Sequence, residues 1–242
     1  MRILVILNSP SHKFIPNSLQ IAVDYIESHM LINIPLKILF KLVKRFDMIV
    51  ISGGPQHLYM SLDTIPEIKP LLVIVRLCSY LNKILVGLCL GCQIICMAYK
   101  MQIKKLPKFI IGYNYIDRMN TGIVKSDKYL SKMDFSLIKQ SFSFHSDMIE
   151  NVCGRAELFP PKLETHCVSN VSNKKIVVIA TYGDIPYIIK HKKKPIYGFQ
   201  FHPEANIESI MNSIKKNNVN FCIDQSIPYE AITNNFFSAF IL

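Results

Sequence analysis

One short stretch, LVGLCLGCQ, constrains the fold more than any other part of the sequence. It places Cys89 between Gly87 and Gly91, after an apolar run with the β-branched content of a buried strand and before a second apolar run. A chain that turns sharply from a strand into a helix has little room for side chains, and this explains why glycine stands on both sides of the cysteine. We therefore predict a strand over residues 84–88 and a helix over residues 90–99.

Apolar runs alternate with helical patterns in the first half of the chain, which is typical of a parallel sheet with helices on both faces. The second half is richer in strand patterns and closes with an amphipathic helical pattern. We expect an α/β fold with a central, mostly parallel sheet flanked by helices and a β-rich C-terminal part. The expected strands lie within residues 3–7, 47–55, 109–116, 175–183 and 195–204, and the other expected helices lie near residues 17–29, 71–80 and 231–242.

Length and composition favour one soluble domain. With 242 residues, 50% hydrophobic content and no repeats or low-complexity linkers, we expect a single domain over residues 1–242. The opening MRILVILNSP reads as a strand and not as a signal peptide, and no apolar stretch approaches the roughly 20 residues of a membrane span. Three of the seven cysteines crowd into one apolar stretch, which favours a reducing compartment. We expect a cytoplasmic protein with no membrane partner.

The net charge of +11 raises the question of a nucleic-acid partner. The lysines are spread over the whole chain, and the aromatic residues do not interleave with them in any recognised nucleic-acid module. A solvated basic surface is the simpler interpretation, so we expect no nucleic-acid partner.

Cys89 is a candidate nucleophile because of its position at the expected strand-to-helix turn. A helix N-terminus lowers the pKa of a thiol, and its backbone N–H groups can hold a developing oxyanion. The Gly-x-Cys-x-Gly pattern has the form of the Gly-x-Ser-x-Gly elbow with a thiol in place of the hydroxyl. The alternative is that Cys89 is one more buried apolar cysteine.

A base and an orienting carboxylate for this thiol occur late in the chain. The segment GFQFHPE supplies His202 and Glu204 at the end of an apolar strand, separated by a proline that rigidifies the turn. A lone histidine at such a place is more often structural. Together with Cys89, however, these two residues form the cysteine, histidine and carboxylate set that acyl-transfer chemistry requires.

Three motifs in order, SGGP, GLCLGCQ and YGFQFHPE, resemble those of the class I glutamine amidotransferases. The resemblance covers most of the chain, since ILVIL is similar to the first strand of that family, VIA to a late strand and NNFF to the terminal helix. It implies a flavodoxin-like α/β fold with a Cys-His-Glu triad. It also implies that Cys89 attacks the side-chain amide of glutamine, that His202 acts as general base and then acid, and that Glu204 orients the histidine ring.

The resemblance also implies a set of substrate-binding positions. The backbone N–H groups of Gly54 and Leu90 would form the oxyanion hole, and Gln93 matches a glutamine that helps to bind the substrate. The segment FHSD is similar to a family segment that holds the amino-acid end of glutamine, which points to Ser146 and Asp147. No metal and no cofactor are expected.

The destination of the ammonia is open at this point. The sequence shows no acceptor-activating domain and no nucleotide loop, so we expect delivery to a separate synthase subunit. HSD and KPIYGFQFHPE are most similar to the glutaminase subunit of GMP synthases, and anthranilate and aminodeoxychorismate synthase subunits share nearly as much. The alternatives are a standalone hydrolase of γ-glutamyl amines or peptides and a non-catalytic protein that binds a partner. We expect the loop around residues 8–17 to influence the choice of substrate.

Two further features keep alternatives open. Cys89 and Cys92 form a Cys-x-x-Cys pair, which elsewhere indicates a redox pair or half of a zinc site. No second ligand pair at zinc spacing is present in the sequence, and a redox pair would leave FHPE unexplained. Residues 152–173 and 206–227 look expanded relative to the family, and such insertions usually fall in surface loops that cover a site, bind a partner or do neither.

Overall fold

The computed structural model describes residues 1–9, 19, 21–60, 62–113, 116–150 and 175–241. Ten strands are described: β1 (Arg2–Leu7), β2 (Ala22–Glu27), β3 (Met48–Ile51), β4 (Ile84–Leu88), β5 (Ile103–Tyr113), β6 (Arg118–Met119), β7 (Phe142–Ile149), β8 (Ile176–Tyr182), β9 (Ile185–His191) and β10 (Ile196–Phe199). Eight of them form one sheet in the order β2-β1-β3-β4-β10-β9-β8-β6, and β5 pairs with β7 separately. The five strands from β2 to β10 in this order are mutually parallel, and the last three are antiparallel to their neighbours.

Helices cover both faces of the sheet. They are α1 (Leu36–Arg45), α2 (Ile68–Leu81), α3 (Leu90–Ala98), α4 (Thr121–Ser126), α5 (Phe135–Ile138), α6 (Ile207–Lys216) and α7 (Tyr229–Ile241). Side chains alternate along each strand, so Leu4 and Ile6 of β1 join the core under α1, α2 and α3. Ile3 and Val5 face the opposite way and join the core under α4, α5 and α7. The expected α/β architecture, with a mostly parallel sheet and a β-rich C-terminal part, is confirmed.

The helix expected near residues 17–29 is wrong. Within the described residues this region forms β2 and a short 3-10 helix at Ser28–Leu31. Leu19, Ala22, Val23 and Ile26 do fall at helical spacing, but β2 pairs in parallel register with β1 at the edge of the sheet. The β-branched side chain of Val23 and the aromatic side chain of Tyr25 pack against the core under α4, α5 and α7. This tertiary contact decides the conformation.

The structure describes one of the two segments that look expanded in the sequence. Residues 152–173 lie outside the described residues, as does most of the loop around residues 8–17. Residues 206–227 contain α6, which begins with a capping box in which Asn206 and Ser209 exchange hydrogen bonds. In the described part of the chain, no helix is both long enough and apolar enough to cross a bilayer.

Candidate active site

Three neighbouring strands bring the sequence motifs to one edge of the sheet. β3, β4 and β10 run parallel to one another, with β4 in the middle. Their carboxyl ends therefore meet at the same edge, where ligands gather in open α/β sheets. β3 ends before the SGGP loop, β4 ends at the residue before Cys89, and β10 ends three residues before His202.

Cys89 occupies a strained turn between β4 and α3. Its backbone has φ +49° and ψ −103°, a conformation that residues other than glycine rarely adopt. Its backbone N–H is held by the carbonyl of Phe199 at 2.7 Å. A Cβ at Gly87 would lie 2.4 Å from the carbonyl oxygen of Gly91, and one at Gly91 would lie 2.1 Å from the carbonyl oxygen of Ile51. Both glycines are therefore required by close backbone approach on either side of the cysteine.

Cys89, His202 and Glu204 lie together at this turn. The imidazole of His202 lies close enough to Cys89 to be influenced by its sulfur, and its Nδ1 lies 2.8 Å from Oε1 of Glu204. Gly53 lies against both: a Cβ there would be 2.7 Å from Cε1 of His202 and 3.5 Å from Cβ of Cys89. The side chains of His202 and Glu204 are 19% and 10% exposed, so the pair is largely screened from water.

The surroundings of His202 favour its charged form. Burial opposes protonation of the ring, but the carboxylate of Glu204 and the sulfur of Cys89 outweigh it and raise the pKa of His202 well above its ordinary value. An imidazolium held by a carboxylate beside Cys89 carries the proton that a leaving amine requires. The arrangement is therefore suited to nucleophilic attack by sulfur followed by proton transfer to nitrogen.

The two residues whose backbone N–H groups are expected to hold a developing oxyanion lie beside each other. Leu90 is the first residue of α3, where an amide has no acceptor within the helix. Gly54 lies in the loop after β3, and a Cβ there would be 2.9 Å from Cδ2 of Leu90. Both residues line the same cavity as Cys89.

Two buried glutamines connect the sulfur of Cys89 to the backbone of β7. Nε2 of Gln93 lies 3.3 Å from the backbone carbonyl of Asp147 and 3.3 Å from Oε1 of Gln200. Nε2 of Gln200 in turn donates towards the sulfur of Cys89 at 3.7 Å. Gln93 was expected from the sequence to help bind substrate, whereas Gln200 was not singled out, although it lies in the motif GFQFHPE.

Ser146 and Asp147 lie on β7 beside the loop that follows β3. The carboxylate of Asp147 is nearly buried and pairs with Nδ1 of His57, at 3.1 Å and 3.3 Å from its two oxygens. The hydroxyl of Ser146 donates to Oδ1 of Asp147 at 3.0 Å. His57 was missed in the sequence, although it stands two residues after SGGP. A carboxylate accepts several hydrogen bonds, so this group retains capacity for a substrate ammonium.

His145 was also missed, although it is part of FHSD. Its Nδ1 lies 2.9 Å from the backbone carbonyl of Asp147 and its Nε2 lies 3.1 Å from the hydroxyl of Tyr187. Burial lowers the pKa of His145 to about 4, so the ring is neutral in the folded protein at neutral pH. A neutral ring that bridges β7 and β9 is suited to positioning the strand that carries Ser146 and Asp147.

The buried ring of His145 makes stability depend on pH. Unfolding returns the pKa of His145 from about 4 to its ordinary value of about 6.5, so the unfolded chain binds a proton first as the pH falls. We expect the free energy of unfolding to decrease between these two pH values. The slope of the unfolding free energy against pH reports how many more protons the unfolded chain binds. In His145→Gln this number should be smaller by up to about one, as measured by urea unfolding over a pH series. An unchanged slope in the variant would contradict the lowered pKa.

Cys92 lies in the core, away from Cys89, His202 and Glu204. It is fully buried in the core under α3, where a Cβ on Gly198 would lie 2.6 Å from its sulfur. Burial and the neighbouring sulfur of Cys96 raise the pKa of Cys92 well above its ordinary value. Among the residues that the structure describes, no group of three or more histidine, cysteine or acidic side chains could hold a metal ion.

One cavity of about 410 Å³ connects these groups. All eight residues singled out from the sequence line it: Cys89, His202, Glu204, Gly54, Leu90, Gln93, Ser146 and Asp147. The cavity continues past them along β7 and along one face of α6, a helix that carries no recognised motif.

A family model described as glutamine amidotransferase class-I matches residues 12–220. A glutamine amidotransferase-like protein of Acanthamoeba polyphaga mimivirus is 26% identical over 169 residues, which is 69% of this chain and 61% of that protein. A GMP synthase (glutamine-hydrolysing) of Wolbachia from Brugia malayi is 23% identical over 171 residues, 71% of this chain but 28% of that protein. The chain therefore spans less than two thirds of either relative.

Solved structures share the fold. The crystal structure of a glutamine amidotransferase from Methylobacillus flagellatus superimposes with a TM-score of 0.66 at 13% identity, covering 99% of this chain and 93% of that one. At this level of identity the likeness shows the architecture of the sheet and helices alone.

Proposed function

This chain belongs to the class I glutamine amidotransferase family, and we propose that it hydrolyses the side-chain amide of glutamine with Cys89 as nucleophile. The observation that carries the proposal is the position of His202, which pairs with Glu204 and lies beside Cys89 at the strained turn. A structural cysteine would need neither the strained backbone nor a charged histidine beside it.

In the first half of the reaction, the sulfur of Cys89 attacks the amide carbon of glutamine. The carbonyl oxygen becomes negative and accepts hydrogen bonds from the backbone N–H groups of Gly54 and Leu90. His202 then gives its proton to the amide nitrogen, the carbon–nitrogen bond breaks, and ammonia leaves. A γ-glutamyl thioester remains on Cys89.

In the second half, water replaces ammonia. His202, now neutral, takes a proton from the water as its oxygen attacks the thioester carbon. The carbon–sulfur bond breaks, and glutamate leaves with Cys89 and His202 in their starting states. Glu204 orients the ring through Nδ1 and stabilises its charged form throughout. Asp147 and Ser146 hold the amino-acid end of glutamine.

We propose that the ammonia passes to a separate synthase, of which the ATP-pyrophosphatase subunit of a GMP synthase is the leading example. Relatives named GMP synthase support this choice, and it would assign the protein to purine biosynthesis in the cytoplasm. No nucleic-acid or membrane partner is required.

Release of glutamate and ammonia from glutamine by the purified protein tests the proposal. We expect both products in equal amounts, because each turnover hydrolyses one amide. If the rate is low, adding a synthase subunit with its nucleotide substrates should increase it. Absence of product under all of these conditions would contradict the proposed reaction.

A further inference from the structure

Gln200 is fully buried behind Cys89, and the proposed reaction gives it no role. It does not line the cavity, so a bound substrate would not touch it. Burying a side-chain amide costs free energy unless its polar atoms find hydrogen-bond partners. The nitrogen of this amide has the sulfur of Cys89 as its partner, at 3.7 Å.

The backbone fixes Gln200 relative to Cys89. Gln200 directly follows β10, and its backbone N–H donates to the carbonyl of Tyr187 on β9 at 2.9 Å. The carbonyl of Phe199, the residue before it, accepts the backbone N–H of Cys89 at 2.7 Å. The amide that faces the sulfur is therefore carried by a rigid part of the sheet.

The hydrogen bonds around Gln200 determine which end of its amide faces the sulfur. The backbone carbonyl of Asp147 can only accept, so the atom of Gln93 that meets it at 3.3 Å is the amide nitrogen. The same nitrogen lies 3.3 Å from Oε1 of Gln200, which accepts from it. The nitrogen of Gln200 therefore points to the sulfur of Cys89 as a donor. Reversing this amide would set two donors against each other at Gln93.

The sulfur of Cys89 has a different neighbour for each of its protonation states. The carbonyl of Phe144 on β7, at 3.8 Å, can accept from a thiol but offers no hydrogen bond to a thiolate. The amide nitrogen of Gln200 donates, and a hydrogen bond to an ionised acceptor is roughly twice as strong as one between neutral groups. A donor fixed on the sulfur therefore favours the thiolate, which is the nucleophilic form.

Other titratable groups surround the sulfur. His202, paired with Glu204, lies beside it in the turn after β10 and has a raised pKa. Burial raises the pKa of Tyr187 on β9 to about 12 and that of Cys92 on α3 well above its ordinary value. Burial lowers the pKa of His145 on β7 to about 4. The last three groups are uncharged at neutral pH, so a negative sulfur is stabilised by the imidazolium and by the amide donor.

We propose that Gln200 is a positioning residue that holds the sulfur of Cys89 in the ionised form in which it attacks. This rests on the proposed function, in which Cys89 is the nucleophile. Gln93 keeps the amide of Gln200 turned towards the sulfur, and the carbonyl of Asp147 holds the nitrogen of Gln93. The two buried amides thus connect the attacking atom with the strand proposed to hold the amino-acid end of glutamine.

Alkylation of Cys89 by iodoacetamide tests the proposal, because the thiolate is the form that displaces iodide from the reagent. Gln200→Met removes the donor and keeps an unbranched side chain. Without the donor the thiolate is less favoured and needs a higher pH to form. We expect alkylation of Cys89 at pH 7 to be about tenfold slower, and the midpoint of its pH profile to rise by about one pH unit. Peptide mass spectrometry assigns the rate to Cys89.

Other cysteines of the same molecule are the controls. The exposed Cys222 should react at the same rate in the wild-type protein and in the variant. The buried Cys92 and Cys96 should stay unmodified, since their reaction would mean that the core has opened. In that case Gln200→Asn carries the test, because it keeps a buried amide in a smaller side chain but draws the nitrogen back by about 1.5 Å. It should likewise slow the alkylation of Cys89.

Steady-state hydrolysis of glutamine gives a second readout. Because Gln200 does not line the cavity, Gln200→Met should lower kcat by about tenfold and leave KM within about twofold. Wild-type alkylation of Cys89 in the folded variants, or a change in KM alone, would overturn the role of Gln200 and leave the proposed function intact. Slower alkylation in a protein that does not hydrolyse glutamine would support the role of Gln200 and contradict the proposed function alone.

Discussion

Replacing Cys89 with alanine should lower kcat for glutamine hydrolysis by at least about a thousandfold, because it removes the proposed nucleophile. The sulfur is the only thiol that lines the cavity among the described residues, since Cys92 faces the core. Binding of glutamine should change little, because the alanine leaves Asp147, Ser146 and the oxyanion N–H groups in place. The measurement is steady-state glutamate release, with glutamine binding followed by calorimetry.

Cys222→Ser is the matched control for this variant. Cys222 is an exposed free cysteine on the segment between α6 and α7, and it does not line the cavity. This variant should keep the wild-type rate while losing one thiol, as Cys89→Ala does. If Cys89→Ala stayed within about tenfold of the wild-type rate, a different nucleophile would have to be sought.

The turn around Cys89 could be predicted from sequence because it depends on local chemistry. Two glycines that flank a cysteine between a strand and a helix leave few other structures, and the structure has the expected strand, turn and helix there. His202 and Glu204 could be paired for the same reason, since two positions joined by a proline must lie close together. The catalytic roles of these residues stay predictions.

Other features depend on contacts between distant parts of the chain. The pairing of His57 with Asp147 joins residues 90 positions apart, and neither residue type carries a signal for the other. α6 was recognised only as part of an expanded segment, because its side chains face the cavity without any motif. At residues 22–27 the helical spacing of apolar residues was misleading, since pairing with β1 decides the conformation there.

Gly91→Ala should be the most destabilising single methyl addition in this part of the fold. The new Cβ would lie 2.1 Å from the carbonyl oxygen of Ile51, a backbone atom of a central strand that cannot move without breaking its pairing with β1 and β4. Overpacking a core usually costs about 1–3 kcal/mol, and we expect a loss of about 3 kcal/mol or more in the free energy of unfolding. In a chain of this size this corresponds to a decrease of roughly 6–12 °C in Tm.

Gly122→Ala is the control for this variant, because it adds the same methyl group near the start of a different helix. The atom nearest to a Cβ at Gly122 would be Oδ1 of Asn120 at 3.5 Å, which is an ordinary contact distance. Within a helix, alanine should be neutral or stabilise the fold by up to about 1 kcal/mol, since it restricts the unfolded chain. Urea unfolding of both variants measures the difference directly. Equal stabilities would mean that α3 can move away from β3, and the close approach of the helix would then not explain why glycine follows the cysteine.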